Sequence, residues 1–141
     1  VEELRIQTEG EGFYSITDRV EEEFHQLIET EELSGVLFLF VQHTSCALAI
    51  SEDYDPSAKG DLEKFFQHLA PSDLSFIQHT LEGSDDSPSH MKSALLHQHL
   101  ALPVDEGKIL LGRWQGIFLA EFRDAPHTRK IVLKFLPEKS S

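Results

Sequence analysis

Three histidines stand beside hydroxyls or acids in a way that could do chemistry. His43 opens "HTSC" at the end of an apolar run, with Thr44 and Ser45 next to it. His79 and His90 flank the acidic stretch "TLEGSDDSPS". A neutral imidazole can ligate a divalent metal or accept a proton, and carboxylates such as Asp86 can orient it. His79 and His90 lie eleven positions apart, with ten residues between them. This is neither a zinc-finger spacing nor an HExxH helix, so any shared centre must come from the fold.

The start of a helix accounts for part of the second stretch. Ser87 is expected as N-cap and Pro88 as first helical residue, with Met91, Ala94 and Leu95 as the apolar stripe and an end near His97. Those roles leave Asp85, Asp86 and His90 at the positive end of a helix dipole, which disfavours imidazolium. A third place is "GRWQGIFLAEFRDAPHTRK". Glu121 interrupts an apolar strand, and a buried carboxylate must be paired, coordinated or protonated. Arg129, from a neighbouring strand, is the expected partner. Gln115, between Trp114 and Gly116, is a candidate to read a ligand edge, whereas Trp114 alone reads as core. His25, His68, His97, His99 and His127 have ordinary polar surroundings, and Cys46 reads as a buried, inert thiol.

The elements that must carry these groups follow from periodicity. Residues 3–8 and 12–16 read as short strands. "TDRVEEEFHQLIET" reads as a helix with an Asp18–Glu21 capping box and a stripe of Val20, Phe24, Leu27 and Ile28. "GVLFLFVQ" reads as a strand buried on both faces and "CALAIS" as the next strand. Asp55 and Pro56 start a second helix, whose buried side is Leu62, Phe65, Phe66 and Leu69 and which Pro71 ends. "LALPV", "KILLG", "WQGIFLAEF" and "TRKIVLKFL" read as four more strands. The expected architecture is a single α+β domain over 1–141, a large mixed or antiparallel sheet sandwich with about three helices.

Composition narrows the partners. The 141 residues carry a net charge of -13, which opposes nucleic acid and anionic membrane surfaces. Residues 1–32 hold eleven acids against Arg5 and Arg19. The cations Arg113, Arg123, Arg129, Lys130 and Lys134 gather in the last third, where a small anion could bind. The single cysteine excludes an internal disulfide and fits a cytoplasmic protein. No apolar run is long enough for a membrane helix, and the acidic first ten residues carry no signal-peptide pattern.

Taken together, "VQHTSCALAISEDYDPSAKGDLEKFF", "QHTLEGSDDSPSHMKSALL", "LPVDEGKILLGRWQGIFLAEFR" and "TRKIVL" resemble the YjbQ-like family, also named the secondary thiamine-phosphate synthase family, from about residue 35 to 136. The resemblance implies a sandwich-like α+β fold, a homotrimer and a site rich in histidine and acid. It implies joining of hydroxymethylpyrimidine diphosphate to thiazole phosphate, with release of pyrophosphate. The implied site contains His43, Thr44, Ser45, Glu52, Asp61, His79, Asp86, His90, Gln115, Glu121 and Arg129. The chain departs from the family's usual pattern at Cys46, Ser51, Ser87 and Arg113. Within this set, His43, His79 and His90 are expected to hold a divalent metal, Zn or Mg, with Asp61, Asp86 or Glu121 as orienting acceptors. Arg129 and the helix start near Ser89 are expected to hold the phosphate of a small metabolite. Metal-dependent phosphoester hydrolysis and non-catalytic binding of an anionic metabolite are the alternatives for the same residues.

Overall fold

Alternation of apolar and polar residues at period two lays down most of the chain, with helical stripes at three points. The structure, a computed structural model, describes residues 1–28 and 31–139. The order is β1 (Glu2–Thr8), β2 (Gly12–Ser15), α1 (Thr17–Leu27), β3 (Gly35–Val41), β4 (Cys46–Glu52), α2 (Pro56–Leu69), α3 (Asp86–Leu95), β5 (His99–Asp105), β6 (Lys108–Ile109), β7 (Gln115–Glu121) and β8 (His127–Pro137). The strands form two antiparallel sheets, ordered β1-β8-β3-β5-β6 and β2-β7-β4. The expected α+β sandwich with three helices is therefore the observed fold. No helix among the described residues is long and apolar enough to cross a membrane.

The main core lies between the sheets and under α1. Leu4, Ile6, Leu37, Leu39, Ile131 and Leu133 of the larger sheet meet Leu48, Ile117 and Leu119 of the smaller one, with Val20 and Phe24 from α1. The opposite face of the smaller sheet is also covered. Phe13, Ala49, Phe118 and Ala120 pack with Phe122, and with Phe66 of α2. The strand buried on both faces over nearly its whole length is β7, whose residues Gly116–Glu121 are all buried. β3, the strand expected to be buried on both faces, instead alternates: Leu37, Leu39 and Val41 point inward, while Phe40 remains 46% exposed. Its apolar outer face belongs to the surface of this chain.

The helix boundaries show which local signals act. Asp55 caps α2 as expected, accepting the Ser57 backbone N–H at 2.9 Å, and Pro56 opens the helix. Only Phe66 of the expected α2 stripe is fully buried, because Phe65 and Leu69 turn outward. α1 has no capping box. Ile16 is its N-cap without a side-chain bond, and Thr17 uses its hydroxyl to accept the Ile117 N–H at 2.9 Å, tying the helix start to β7. Residues 29 and 30 of the expected span lie outside the described residues. α3 begins one residue before the expected Ser87 cap. Asp85 stands at the N-cap position, and Asp86 is the first helical residue.

Candidate metal centre

The first turn of α3 brings His79, Asp86 and His90 together. Asp86 and His90 lie four apart, on one helix face. His79 arrives from the long segment between α2 and α3, which has neither helix nor strand over residues 71–85. Asp86 Oδ2 lies 2.8 Å from His79 Nε2 and 3.1 Å from His90 Nε2. The ligand atoms of the three residues all fall within 4.8 Å of one another. Two ligands on one tetrahedral zinc at ordinary bond lengths stand roughly 3.3 Å apart. The cluster is therefore close to the spacing of a metal's coordination shell.

Charge complementarity also points to a cation. His90 Nδ1 lies 2.9 Å from the Thr44 carbonyl oxygen, which can only accept, so Nδ1 carries the proton. His90 Nε2 then either carries a second proton or presents a lone pair to the Asp86 carboxylate. A cation between them, proton or metal, resolves that contact. The donor set of two imidazoles and one carboxylate suits zinc better than magnesium, which prefers oxygen.

Arg123 fixes the acid. Its Nη1 donates to Asp86 Oδ1 at 2.7 Å, its Nε to Asp85 Oδ2 at 2.9 Å and its Nη2 to the Glu82 carbonyl at 2.9 Å. Asp86 thus offers Oδ2 to the imidazoles while Oδ1 is occupied. Asp85 also accepts the Asp124 N–H at 2.9 Å. Burial works to raise the Asp85 pKa, but these bonds outweigh it and hold the carboxyl below its ordinary value. By sequence Arg123 is one of the late cations where a small anion could bind; in the structure it serves the carboxylates of Asp85 and Asp86 instead. Its signal was position: a cation two residues past Glu121, leaving a buried strand opposite a loop dense in acid.

Of the three histidines expected to share a metal, His79 and His90 cluster with Asp86, whereas His43 makes its contacts in a second group. His43 Nε2 accepts the Lys130 backbone N–H at 3.0 Å, so that nitrogen is not available to a metal. Partial burial lowers its pKa, and Arg129 nearby lowers it further, so His43 is a neutral acceptor. The residues that follow it connect the clusters. Thr44 holds His90 through its carbonyl, and Ser45 accepts from Arg129 Nη2 at 3.0 Å.

Glu121 and Arg129 make the expected ion pair, but across the sandwich, since β7 and β8 lie in different sheets. Arg129 Nε and Nη2 reach Glu121 Oε1 and Oε2 at 2.7 and 2.6 Å. Thr8 donates to Oε1 at 2.7 Å, and the Phe122 and Arg123 N–H groups reach Oε2 at 3.1 and 3.2 Å. Burial works to raise the Glu121 pKa, yet the Arg129 and Thr8 bonds outweigh it and leave it lowered. Arg129 is likewise raised against its own burial by Glu121. Its guanidinium is turned inward onto a carboxylate rather than toward a phosphate. Ser89 is fully buried, so the helix start does not present it to an anion either. Burial raises the Cys46 thiol to about 12, even against Arg129, which agrees with an inert thiol.

Three expected site residues lie elsewhere in this chain. Glu52 and Gln115 are paired at one end of the β4–β7 ladder, and Cys46 with Glu121 at the other. Six residues of strand put about 20 Å between those ends. Glu52 accepts the Tyr54 and Asp55 N–H groups, both at 3.1 Å, and Gln115 accepts the Gly112 N–H at 2.8 Å. Both therefore shape turns. Trp114 is half exposed rather than core, with Arg113 stacked 4.7 Å from its ring. Asp61 is exposed on α2 and makes no hydrogen bond or ion pair among the described residues.

Comparison with known proteins places this geometry. The family model described as UPF0047 protein YjbQ-like matches residues 2–138. The chain belongs to the YjbQ-like family. The UPF0047 protein YjbQ of Escherichia coli O157:H7 is 38% identical over 130 residues, spanning 92% of this chain and 91% of that one. The UPF0047 protein sll1880 of Synechocystis is 37% identical, over 92% of this chain and 86% of its own length. Among solved structures, the conserved hypothetical protein TT1486 of Thermus thermophilus superposes with a TM-score of 0.84 at 39% identity, covering 96% of this chain and all of that one. A YjbQ/UPF0047 protein of Clostridium acetobutylicum gives 0.83 at 28% identity, again over 96% of this chain and all of the other. The YjbQ-like fold thus accounts for nearly the whole chain.

Proposed function

We propose that this YjbQ-like protein is a metal-dependent enzyme acting on a small phosphorylated metabolite. The supporting observation is the Asp86 carboxylate, set between the Nε2 atoms of His79 and His90, with Arg123 and the Thr44 carbonyl holding the ligands from behind. His79, Asp86 and His90 would hold the ion. Bound there, a divalent ion would supply positive charge to a phosphate or diphosphate group and an open position for an oxygen ligand.

The chain's own residues prepare that site. Arg123 shares its one positive charge between Asp85 and Asp86 and leaves Asp86 Oδ2 to the imidazoles. The Thr44 carbonyl holds the His90 Nδ1 proton, so Nε2 is the nitrogen that would face a metal. His79 is 56% exposed in its side chain and Asp86 only 5%, so the cluster opens to solvent on the His79 side. The two guanidiniums nearest the clusters, Arg123 and Arg129, are both committed to carboxylates.

The reaction proposed first is condensation of hydroxymethylpyrimidine diphosphate with thiazole phosphate, because the resemblance implies it and its leaving group is a polyanion that needs charge neutralisation. Purified, metal-loaded protein should release pyrophosphate only when both substrates are present. Release of free phosphate from single phosphoesters would assign hydrolysis instead. Neither product, with ligand-dependent thermal stabilisation alone, would overturn the enzyme and leave a binding protein. A homotrimer is proposed as the assembly. The apolar outer face of β3, with Phe38 and Phe40, supports association, and the number three rests on the resemblance.

A further inference from the structure

A cavity of about 260 Å³ lies between the end of α2, the α3 helix and the end of β7. Asp85 forms part of its wall, so it adjoins the acidic turn behind the candidate metal centre, yet none of His79, Asp86 and His90 lines it. Its unusual group is Lys92. Lysine is almost never fully buried without compensation, and this one is 3% exposed. Its ammonium has three N–H donors. Among the described residues it has one hydrogen-bond acceptor, Glu11 Oε2 at 2.9 Å, and it stands 5.4 Å from the centre of the Phe122 ring. A buried ammonium with unused donors at a cavity wall calls for an acceptor from outside the chain.

The remaining walls say what the rest of that molecule carries. Asp124 lines the cavity with a carboxylate that makes no hydrogen bond or ion pair among the described residues. Gln67 and Ser72 add an amide and a hydroxyl, and the Phe122, Pro71 and Pro88 side chains give apolar contact. The volume equals about eight or nine waters, which is small beside ordinary drug-sized pockets of about 300–1,000 Å³. Glu11 already offsets the Lys92 charge and Asp85 shares Arg123 with Asp86, so the wall carries little positive charge to spare and a single carboxylate is a better partner for Lys92 than a phosphate dianion. We propose that this cavity binds a small aminocarboxylate, with its carboxylate on Lys92 and its ammonium on Asp124. The proposal does not depend on the metal reading.

The test uses glycine, β-alanine and 4-aminobutanoate as probes, with butanoate and butylamine as single-function controls at constant ionic strength. Binding is read by calorimetry and located by the backbone amide signals of Lys92 and Phe122. At least one aminocarboxylate should bind and shift those two amides. Each control should bind about tenfold more weakly than that probe. Asp124→Asn, an exposed change that leaves the fold intact, and Lys92→Met should each weaken the probe about tenfold. No saturable binding of any of the three up to about 10 mM would show that water alone serves Lys92 and overturn the proposal. So would equal affinity for butylamine, undiminished binding to Asp124→Asn, or shifts confined to amides near His79 and His90.

Discussion

The protonated nitrogen of His90 faces the Thr44 carbonyl, so the nitrogen it turns to Asp86, 3.1 Å away, is the one that lacks a proton in the neutral ring. A cation, either a proton or a metal ion, is what lets histidine and carboxylate meet there. A second imidazole reaches the same oxygen, and Arg123 holds the opposite one in place.

In the proposed centre Arg123 would act on the metal through Asp86. Arg123→Met should leave Asp85 and Asp86 without their shared cation and free Asp86 to rotate. Metal affinity should fall by about 10–100-fold, the usual cost of losing such a supporting contact. Competition with a chromophoric chelator measures this, and circular dichroism should show the fold retained. Arg123→Lys keeps the charge but not the three-way fork, and should fall between wild type and Met.

The Glu121–Arg129 pair is structural. Glu121→Gln or Arg129→Met alone leaves a buried partner uncompensated and should cost about 3–5 kcal/mol in denaturant unfolding. Glu121→Leu combined with Arg129→Met should recover much of that loss, because a buried pair is often replaceable by apolar residues. The Glu121 pKa is lowered in the folded protein. The stability it confers is therefore complete above the ordinary carboxylate pKa and is lost as pH falls below it. Wild type should lose stability across that acid range more steeply than the double variant.

His43 gives a second pH effect, nearer neutrality. Its folded pKa lies below the ordinary 6.5, so the unfolded chain binds more protons there. Its contribution is present above pH 6.5 and is lost as pH falls toward the folded value. In His43→Gln, whose amide oxygen can still accept the Lys130 N–H, the slope of stability between about pH 7 and 5 should flatten. Thermal unfolding across that range measures it, and an NMR titration of the His43 ring should give a midpoint below 6.5.

The sequence reveals most of the framework because its signals are local. Asp55-Pro56 starts α2, the strand periods are clear, and the acid inside "IFLAEF" needs a cation that Arg129 supplies. What sequence hides is partition in space. "GVLFLFVQ" and "GIFLAEF" look equally apolar, but only β7 is covered on both sides, because α2 lies over its sheet. The three histidines looked equivalent too. His43 is drawn off by the Lys130 backbone donor of the adjacent strand β8, and no spacing in the chain announces that contact. The partners of Lys92 and Arg123 are hidden for the same reason: they lie 81 and 37 residues away.

The outer face of the larger sheet tests the assembly. If the exposed Phe40 lies in an interface, light scattering should give wild type a mass three times the 16.0 kDa of one chain. Phe40→Lys should shift it to the monomer. A monomeric wild type would remove the trimer.

The most direct measurement is the metal content of protein purified without a histidine tag and dialysed against zinc-buffered solution, read by elemental mass spectrometry. The wild-type chain should retain close to one zinc per chain, and Asp86→Asn, His79→Ala and His90→Ala should each lose most of it, while His43→Ala keeps it. Equal zinc in all five proteins, or none in the wild type, would contradict a metal centre at His79, Asp86 and His90.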